Sequence, residues 1–148
     1  MLTGKHNLQI LRGLSSNRSL LSCTPEGKVD LWSVDDGSGR QAWNFVNIKG
    51  SQEEFNIIVS GGTNQGETYL SCTQDGGVVD LWSSDDGSGR QRWRFLPVDG
   101  SQICNYFNIV VVGGVNSGRV FLSCNQDGTV VDLWSQDDGS GRQRWQVQ

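Results

Sequence analysis

At 148 residues the chain has the length of one domain with its own core, and only 35% of its residues are hydrophobic while 20 are glycine, about twice the usual share. This composition favours many short strands joined by tight turns and argues against long apolar helices. The net charge is −4 and lysine and arginine are scattered, so the basic footprint on which nucleic-acid binding depends is missing.

The first six residues contain no apolar core of a secretion signal, and no stretch of the sequence approaches a membrane span in length and apolarity. We therefore expect a cytoplasmic protein that does not insert into membranes, with non-classical release left open. No Cys-x-x-Cys or similar ligand spacing occurs in the sequence. The sequence accordingly predicts neither a metal site nor a cofactor.

Three similar repeats follow one another, at about residues 6–54, 55–106 and 107–148. Each opens with a strand-like segment and continues through a polar turn into a second strand that ends in Leu-Ser-Cys. A further turn, a Val-Asp-Leu-Trp strand and a fourth strand complete the repeat. Four strands in each of three repeats predict twelve strands.

One fifteen-residue stretch, Val-Asp-Leu-Trp-Ser-x-Asp-Asp-Gly-Ser-Gly-Arg-Gln-x-Trp, occurs in every repeat, at residues 29–43, 79–93 and 131–145. Equivalent positions lie 50 and 52 residues apart, a period typical of repeats that cannot bury their apolar faces alone. A propeller usually needs four or more blades. Three four-stranded units instead predict an all-β, closed, pseudo-threefold barrel capped by hairpins, the β-trefoil, as a single domain over residues 1–148.

Cysteine follows Leu-Ser at the same point of each repeat, as Cys23, Cys72 and Cys124, while Cys104 stands alone in a connector. Because side chains alternate along a strand, each of the three repeated cysteines shares a face with the leucine two residues before it. We expect these three residues to be small buried hydrophobes and not parts of a disulfide or a metal site.

The Val-Asp-Leu-Trp strand carries the chemistry of the repeat. Val29 and Leu31 face one side and belong to the core, so Asp30 and Trp32 face outward together. A sugar has a C–H face that stacks on an aromatic ring and hydroxyls that donate to a carboxylate. The sequence therefore predicts three sugar sites. Their pairs are Asp30 with Trp32, Asp80 with Trp82, and Asp132 with Trp134.

The turn after this strand adds two carboxylates and a guanidinium. Its second Asp and its Arg are predicted rim contacts, namely Asp36 and Arg40, Asp86 and Arg90, and Asp138 and Arg142. The first Asp of the turn is expected to bond the backbone of its own loop. The Trp that ends each stretch is expected in the core. Repeat one has a loop that is one residue shorter, so if one site is weaker than the others, it is expected to be the first.

The pattern Leu-Trp followed by Gln-x-Trp, with Gln-x-Trp at residues 41–43, 91–93 and 143–145, resembles the ricin-B type of β-trefoil lectin. It is similar to the galactose-binding β-trefoil lectins of mushroom fruiting bodies, a fungal group. The resemblance covers nearly the whole chain. It implies that Trp32, Trp82 and Trp134 stack on galactose or N-acetylgalactosamine, with the Asp two residues before each of them beside the sugar.

The sequence departs from the pattern of that family at two places. An arginine stands where the family usually has Asn before Gln-x-Trp, and a serine stands in the place of the family's key Asp. The serines are Ser22, Ser71 and Ser123. The loop after the second strand offers Asp75 and Asp127, with Glu26 in repeat one, as sources of the missing carboxylate.

These features predict a non-enzymatic lectin that binds glycans and glycoproteins with terminal galactose or N-acetylgalactosamine through up to three equivalent shallow sites, giving multivalent agglutination. A homodimer is left open. The alternative is a β-trefoil protease inhibitor with one protruding loop, although that function needs no sameness between repeats. An enzyme is not expected, because the acid pairs are identical in all three repeats whereas a glycosidase needs one asymmetric pair.

Overall fold

The computed structural model describes residues 4–98 and 106–148, and its regular elements are short β-strands. No helix that could cross a membrane occurs in these two ranges. The strands are β1 (Gly4–His6), β2 (Leu8–Ile10), β3 (Leu20–Cys23), β4 (Val29–Trp32), β5 (Trp43–Asn47), β6 (Glu54–Val59), β7 (Tyr69–Cys72), β8 (Val79–Trp82), β9 (Trp93–Pro97), β10 (Tyr106–Val111), β11 (Phe121–Cys124), β12 (Val131–Trp134) and β13 (Trp145–Val147).

The described residues form thirteen strands, so the prediction of twelve was wrong by one. The opening strand of repeat one is interrupted at Asn7, whose backbone N–H and C=O pair with the backbone of Gln148 at 3.1 and 3.0 Å. The two halves therefore have different partners, since β1 pairs with β5 and β2 pairs with β13. In repeats two and three a single strand, β6 or β10, makes both kinds of pairing.

The first and fourth strands of the repeats form a closed ring. Its order is β5, β6, β9, β10, β13 and then the two halves β2 and β1, which return to β5. All of these pairings are antiparallel. Closure leaves no unpaired barrel edge, the liability of an open sheet, and the all-β prediction is confirmed.

The second and third strands form three hairpins, β3 with β4, β7 with β8, and β11 with β12. Each hairpin joins the ring through one backbone pair, as where Gln9 lies opposite Leu20. The three Val-Asp-Leu-Trp strands come together, β4 with β8 and both with β12. The hairpins therefore carry three copies of the same surface around one pseudo-threefold axis.

The core is built from the positions that alternation predicts to face inward. Trp43, Trp93 and Trp145 are completely buried, and each indole Nε1 donates a hydrogen bond of 2.9 Å to the carbonyl of a leucine in the second strand of its own repeat. A buried indole N–H needs such a partner. The prediction that these three tryptophans belong to the core is confirmed.

The repeated cysteines are also buried and free, as predicted for small core hydrophobes. No group of cysteine, histidine or acidic side chains with the arrangement of a metal site occurs among the residues that the structure describes. Cys104 lies outside the described residues.

Candidate functional site

The strands β4, β8 and β12 turn one Asp and one Trp outward in each repeat. Their valine and leucine are buried, their Asp is half-buried, and their Trp is exposed. The exposed fractions of Trp32, Trp82 and Trp134 are 41, 45 and 41%. Because tryptophan is highly buried on average in folded proteins, three equivalent rings that are this open to solvent require an explanation.

A small pocket lies at each of these three places. Site 2 is a cavity of about 190 Å³ lined by Asp80, Trp82, Ser71, Arg90 and the residues around them. Site 1, of about 110 Å³, and site 3, of about 250 Å³, are lined by the equivalent residues of repeats one and three. The pockets bring together the Asp, the Trp and the Arg that the sequence predicted for each site.

Each site contains a carboxylate oxygen without a partner. Oδ1 of Asp30, Asp80 and Asp132 is buried, and it accepts no hydrogen bond from any residue in the ranges 4–98 and 106–148. A buried acceptor that is left unsatisfied costs about 1–3 kcal/mol. The same buried oxygen without a partner recurs at three equivalent positions, each on a strand that also carries an exposed indole.

Burial raises the pKa of all three pocket carboxyls above the usual range of aspartate. In Asp30 the positive charge of Arg18 partly offsets this effect. In Asp80 the negative charge of Glu67 raises the pKa further. In Asp132 the charges of Arg119 and Arg142 oppose the effect of burial.

The floor of each pocket contains the buried cysteine of the repeat. Burial, followed by the negative charge of the neighbouring Asp, raises the pKa of Cys23, Cys72 and Cys124 to about 12. These groups are therefore neutral thiols at physiological pH. They give the pocket an apolar floor and not a nucleophile.

A buried glutamine holds the turn beside the pocket. Gln91 Nε2 donates to Ser71 Oγ at 2.9 Å, and its Oε1 accepts the backbone N–H of Asp86 at 3.0 Å. Gln41 and Gln143 make the same two bonds in their repeats. Because the serine lies opposite the pocket Asp across the hairpin, the glutamine fixes the turn relative to the site.

The predicted rim residues pair with each other. Arg90 lies 3.5 Å from Asp86, and it also donates to the carbonyl of Gly114 in the next repeat. The equivalent pairs of repeats one and three are 3.4 and 3.7 Å apart. The arginine lines all three pockets, but of the three acids only Asp138 lines its own. The arginine therefore lies at the edge of every pocket, while Asp36 and Asp86 lie outside their pockets and form ion pairs with it.

The first Asp of each turn has the structural role that the sequence predicted. Asp85 accepts the backbone N–H of Gly87 at 2.9 Å, the side chain of Asn56 at 3.0 Å and Arg92 at 2.8 Å. Burial raises the pKa of Asp85, but these hydrogen bonds outweigh burial and lower it. In repeat three, Asp137 accepts the equivalent hydrogen bonds from Arg144 and Asn108. Repeat one has Ala42 in place of the arginine.

No protein-family model and no curated protein matches the sequence. Several solved structures match the fold. SeviL, bound to an asialo-GM1 saccharide, is 11% identical, with a TM-score of 0.71 over 99% of this chain and 98% of its own. A lectin of Polyporus squamosus is 16% identical, with a TM-score of 0.70 over 100% of this chain and 49% of its own. The β-trefoil BEL is 15% identical, with a TM-score of 0.70 over 98% of this chain and 92% of its own. The fold is a β-trefoil.

Like Asp36 and Asp86, two further predicted site residues lie outside the pockets. Asp75 Oδ1 accepts hydrogen bonds from Thr73 and Gly77, and Asp127 Oδ1 accepts two from Thr129, so each closes its own turn. Neither residue lines the pocket of its repeat. The unsatisfied carboxylate that the site offers is the Asp of the Val-Asp-Leu-Trp strand.

Sequence reasoning missed two arginines beside the sites. The guanidinium carbon of Arg18 lies 5.0 Å from the ring centroid of Trp32, and that of Arg119 lies 5.3 Å from the ring centroid of Trp134. Glu67 holds the equivalent place in repeat two. The signal was present, since all three residues stand two positions before the second strand of their repeat.

A larger cavity, of about 590 Å³, lies apart from these three sites. It is lined by Phe55, Phe95, Phe107 and other residues from the ends of barrel strands. Its lining contains no aspartate and no tryptophan. The three smaller pockets combine an unsatisfied acceptor with an exposed tryptophan ring, a combination that the larger cavity does not have.

Proposed function

We propose that the protein is a non-enzymatic lectin that binds terminal galactose or N-acetylgalactosamine through three shallow sites. One observation carries the proposal. In each of the three pockets a buried carboxylate oxygen without a partner lies on the same strand face as an exposed indole. The fold does not need either feature, because the core is already complete beneath the strand.

A monosaccharide supplies what the pocket lacks. Its C–H face can stack on Trp82, while one hydroxyl donates to Asp80 and another accepts from Arg90. A hydrogen bond to a charged group contributes about 1.5–3 kcal/mol. Such a site is weak on its own, so binding to cells and glycoproteins depends on several sites that engage one surface, which raises avidity by ~10²–10⁴.

The structural neighbours support a glycan partner. SeviL is seen with an asialo-GM1 saccharide, and the Polyporus squamosus lectin is seen with Neu5Acα2-6Galβ1-4GlcNAc. The proposed function excludes catalysis, because the carboxylates of the three pockets are equivalent. A hydrolase of glycosidic bonds would require two carboxyls in different roles at one site.

The test is a titration of the intact protein with galactose, N-acetylgalactosamine, mannose and N-acetylglucosamine, followed by tryptophan fluorescence and calorimetry. We expect the first two sugars to bind with millimolar affinity, and the other two to bind more weakly. Glu53→Gln, an exposed acid outside the three pockets, is the control and should bind normally. No response to any sugar, together with no binding on a glycan array, would remove the lectin proposal.

A further inference from the structure

The three sites differ in charge at one position of their surroundings. Two residues before the second strand, repeats one and three have Arg18 and Arg119, whereas repeat two has Glu67. The pocket Asp, Trp and Arg are the same in all three repeats. This position therefore replaces a cation by an anion at one of three sites that share these residues.

The two arginines are held in the same way. Arg18 Nε donates to the carbonyl of Leu31 at 3.1 Å, and Arg119 Nε donates to the carbonyl of Leu133 at 3.1 Å. Each guanidinium also lies over the indole of its site, an attraction worth about as much as an exposed hydrogen bond. The hydrogen bond from Nε and the contact with the indole ring together fix the orientation of each guanidinium.

The outer nitrogens of both arginines stay available. Within residues 4–98 and 106–148, neither Nη atom of Arg18 or Arg119 makes a hydrogen bond or an ion pair. Neither residue lines its pocket. Because each guanidinium lies over the indole of its site, a sugar held in the pocket against that ring would bring its substituents close to these donors.

The charge at this position reaches the pocket. Arg18 and Arg119 both draw the pKa of their pocket carboxyl downward against the dominant effect of burial, and Glu67 adds to the effect of burial on Asp80. Lys28 acts in the same direction as Arg18 at site 1. Site 1 is thus the most positive of the three sites, and site 2 is the most negative.

We propose that sites 1 and 3 select glycans that carry an oxyanion next to the stacked sugar, whereas site 2 selects neutral glycans. The inference rests on the proposed lectin function and names the ligand class of each site. A guanidinium forms paired hydrogen bonds with a sulfate or a carboxylate, which a planar fork of donors matches in shape. Glu67 repels the same groups at site 2.

The experiment uses full-length proteins with one intact site. Trp82→Ala with Trp134→Ala leaves site 1, and Trp32→Ala with Trp134→Ala leaves site 2. Calorimetry compares lactose with 3′-sulfolactose and 6′-sulfolactose as the sulfate arm, and with 3′-sialyllactose and 6′-sialyllactose as the carboxylate arm. We expect site 1 to prefer at least one anionic ligand over lactose by about three- to tenfold, and site 2 to prefer lactose.

Charge exchange tests the named position. Arg18→Glu in the site 1 protein and Glu67→Arg in the site 2 protein should reverse the two preferences, and sodium chloride should weaken the preference for anions without changing the affinity for lactose. Lys49→Glu alters the net charge by the same amount as Arg18→Glu, on an exposed residue outside the pockets, and should leave both preferences intact. If the Arg18→Glu protein does not fold, the ligand preference of the Glu67→Arg protein alone tests the inference.

The outcomes separate the two proposals. Lactose binding without a charge preference, or with a preference that survives the exchange or high salt, overturns the inference and leaves the lectin function standing. Failure of the unaltered protein to bind any of the five ligands or N-acetylgalactosamine overturns the lectin function itself. A reversal by Glu67→Arg supports both.

Discussion

The pocket aspartates carry a cost to folding, and the proposed function gives them a use in binding. Asp80 is half-buried, lacks a partner for one oxygen and has a pKa that burial raises. Asp85, five residues further, has the opposite character, because hydrogen bonds from Arg92 and Asn56 outweigh burial and lower its pKa. The fold therefore disfavours the charged form of Asp80 and favours the charged form of Asp85.

We expect Asp80→Asn and Asp85→Asn to change stability in opposite directions at neutral pH. The charged form of Asp80 is disfavoured in the folded state, so its amide should raise the free energy of unfolding by about 1 kcal/mol or less. Asp85 is favoured as a charged group, so Asp85→Asn should lower that free energy by about 1–2 kcal/mol. Urea denaturation of both variants measures the difference, and destabilisation by Asp80→Asn would contradict it.

The triple change Asp30→Asn, Asp80→Asn and Asp132→Asn separates binding from folding. It should keep the thermal unfolding temperature at or above that of the original protein while it weakens sugar binding by about tenfold or more, because each site loses a charged acceptor. Calorimetric titration with galactose measures the loss. Unchanged affinity would show that the sugar does not use this carboxylate.

Sugar binding should weaken as the pH falls. Protonation of the pocket carboxyl removes the charged acceptor, and burial raises the pKa of all three groups, so the loss begins at a higher pH than for an exposed aspartate. The turn acids have lowered pKa values and stay charged over that range. Calorimetry from about pH 7 down to about pH 4 follows the loss, and a constant affinity would count against the proposed acceptor.

At the level of the element, the Asp-Asp-Gly-Ser-Gly turn is shaped by two glycines with different constraints. Gly87 and Gly89 have φ values of 82 and 98°, a region that disfavours other residues. A Cβ on Gly87 would meet nothing within 4 Å, whereas a Cβ on Gly89 would lie 2.9 Å from the backbone of Gly113. The second glycine therefore permits the close contact between consecutive repeats.

We expect Gly89→Ala to be clearly more damaging than Gly87→Ala. At Gly87 only the strained φ lowers the free energy of unfolding, by about 1 kcal/mol. At Gly89 a backbone clash adds to this strain, so the total loss is about 3 kcal/mol. Chemical denaturation compares the two, and equal losses would mean that the contact with Gly113 adjusts without strain.

For the whole molecule, threefold repetition would make the three proposed sites into one multivalent surface. The ring of barrel strands closes, and the three hairpins stand together around the axis. Two sites that face one glycosylated surface bind it more tightly than either site alone, without any new contact. The protein does not need to form a homodimer to be multivalent, although a dimer would extend the effect.

A protein with one intact site should bind sugar but not agglutinate. With Trp82→Ala and Trp134→Ala, we expect site 1 to keep its affinity for galactose while agglutination falls by ~10² or more. The fold should persist because both indoles are over two-fifths exposed. Leu96→Ala, at 43% exposure and outside the three pockets, is the matched control. Loss of the melting transition would show instead that the rings support the core.

Local alternation was enough to predict much of this structure. Because successive side chains of a strand face opposite sides, the sequence identified the inward leucine, the outward Trp32 and the buried Trp43. It did not predict the break at Asn7, where the opening strand changes partner between β5 and β13. The change of partner depends on the pairing of β2 with β13 near the other end of the chain. A local sequence pattern carries no information about such a distant pairing.

The sequence by itself determined the threefold repeat, the all-β class and the pairing of one carboxylate with one indole, since these follow from period and alternation within a few residues. Only the tertiary structure decided which carboxylate stays unsatisfied, because Asp75 and Asp127 turn back onto their own loops while Asp30 is buried beside a pocket. It also decided that Arg18 meets Trp32. These outcomes depend on distances between segments that come together only when the hairpins pack on the barrel.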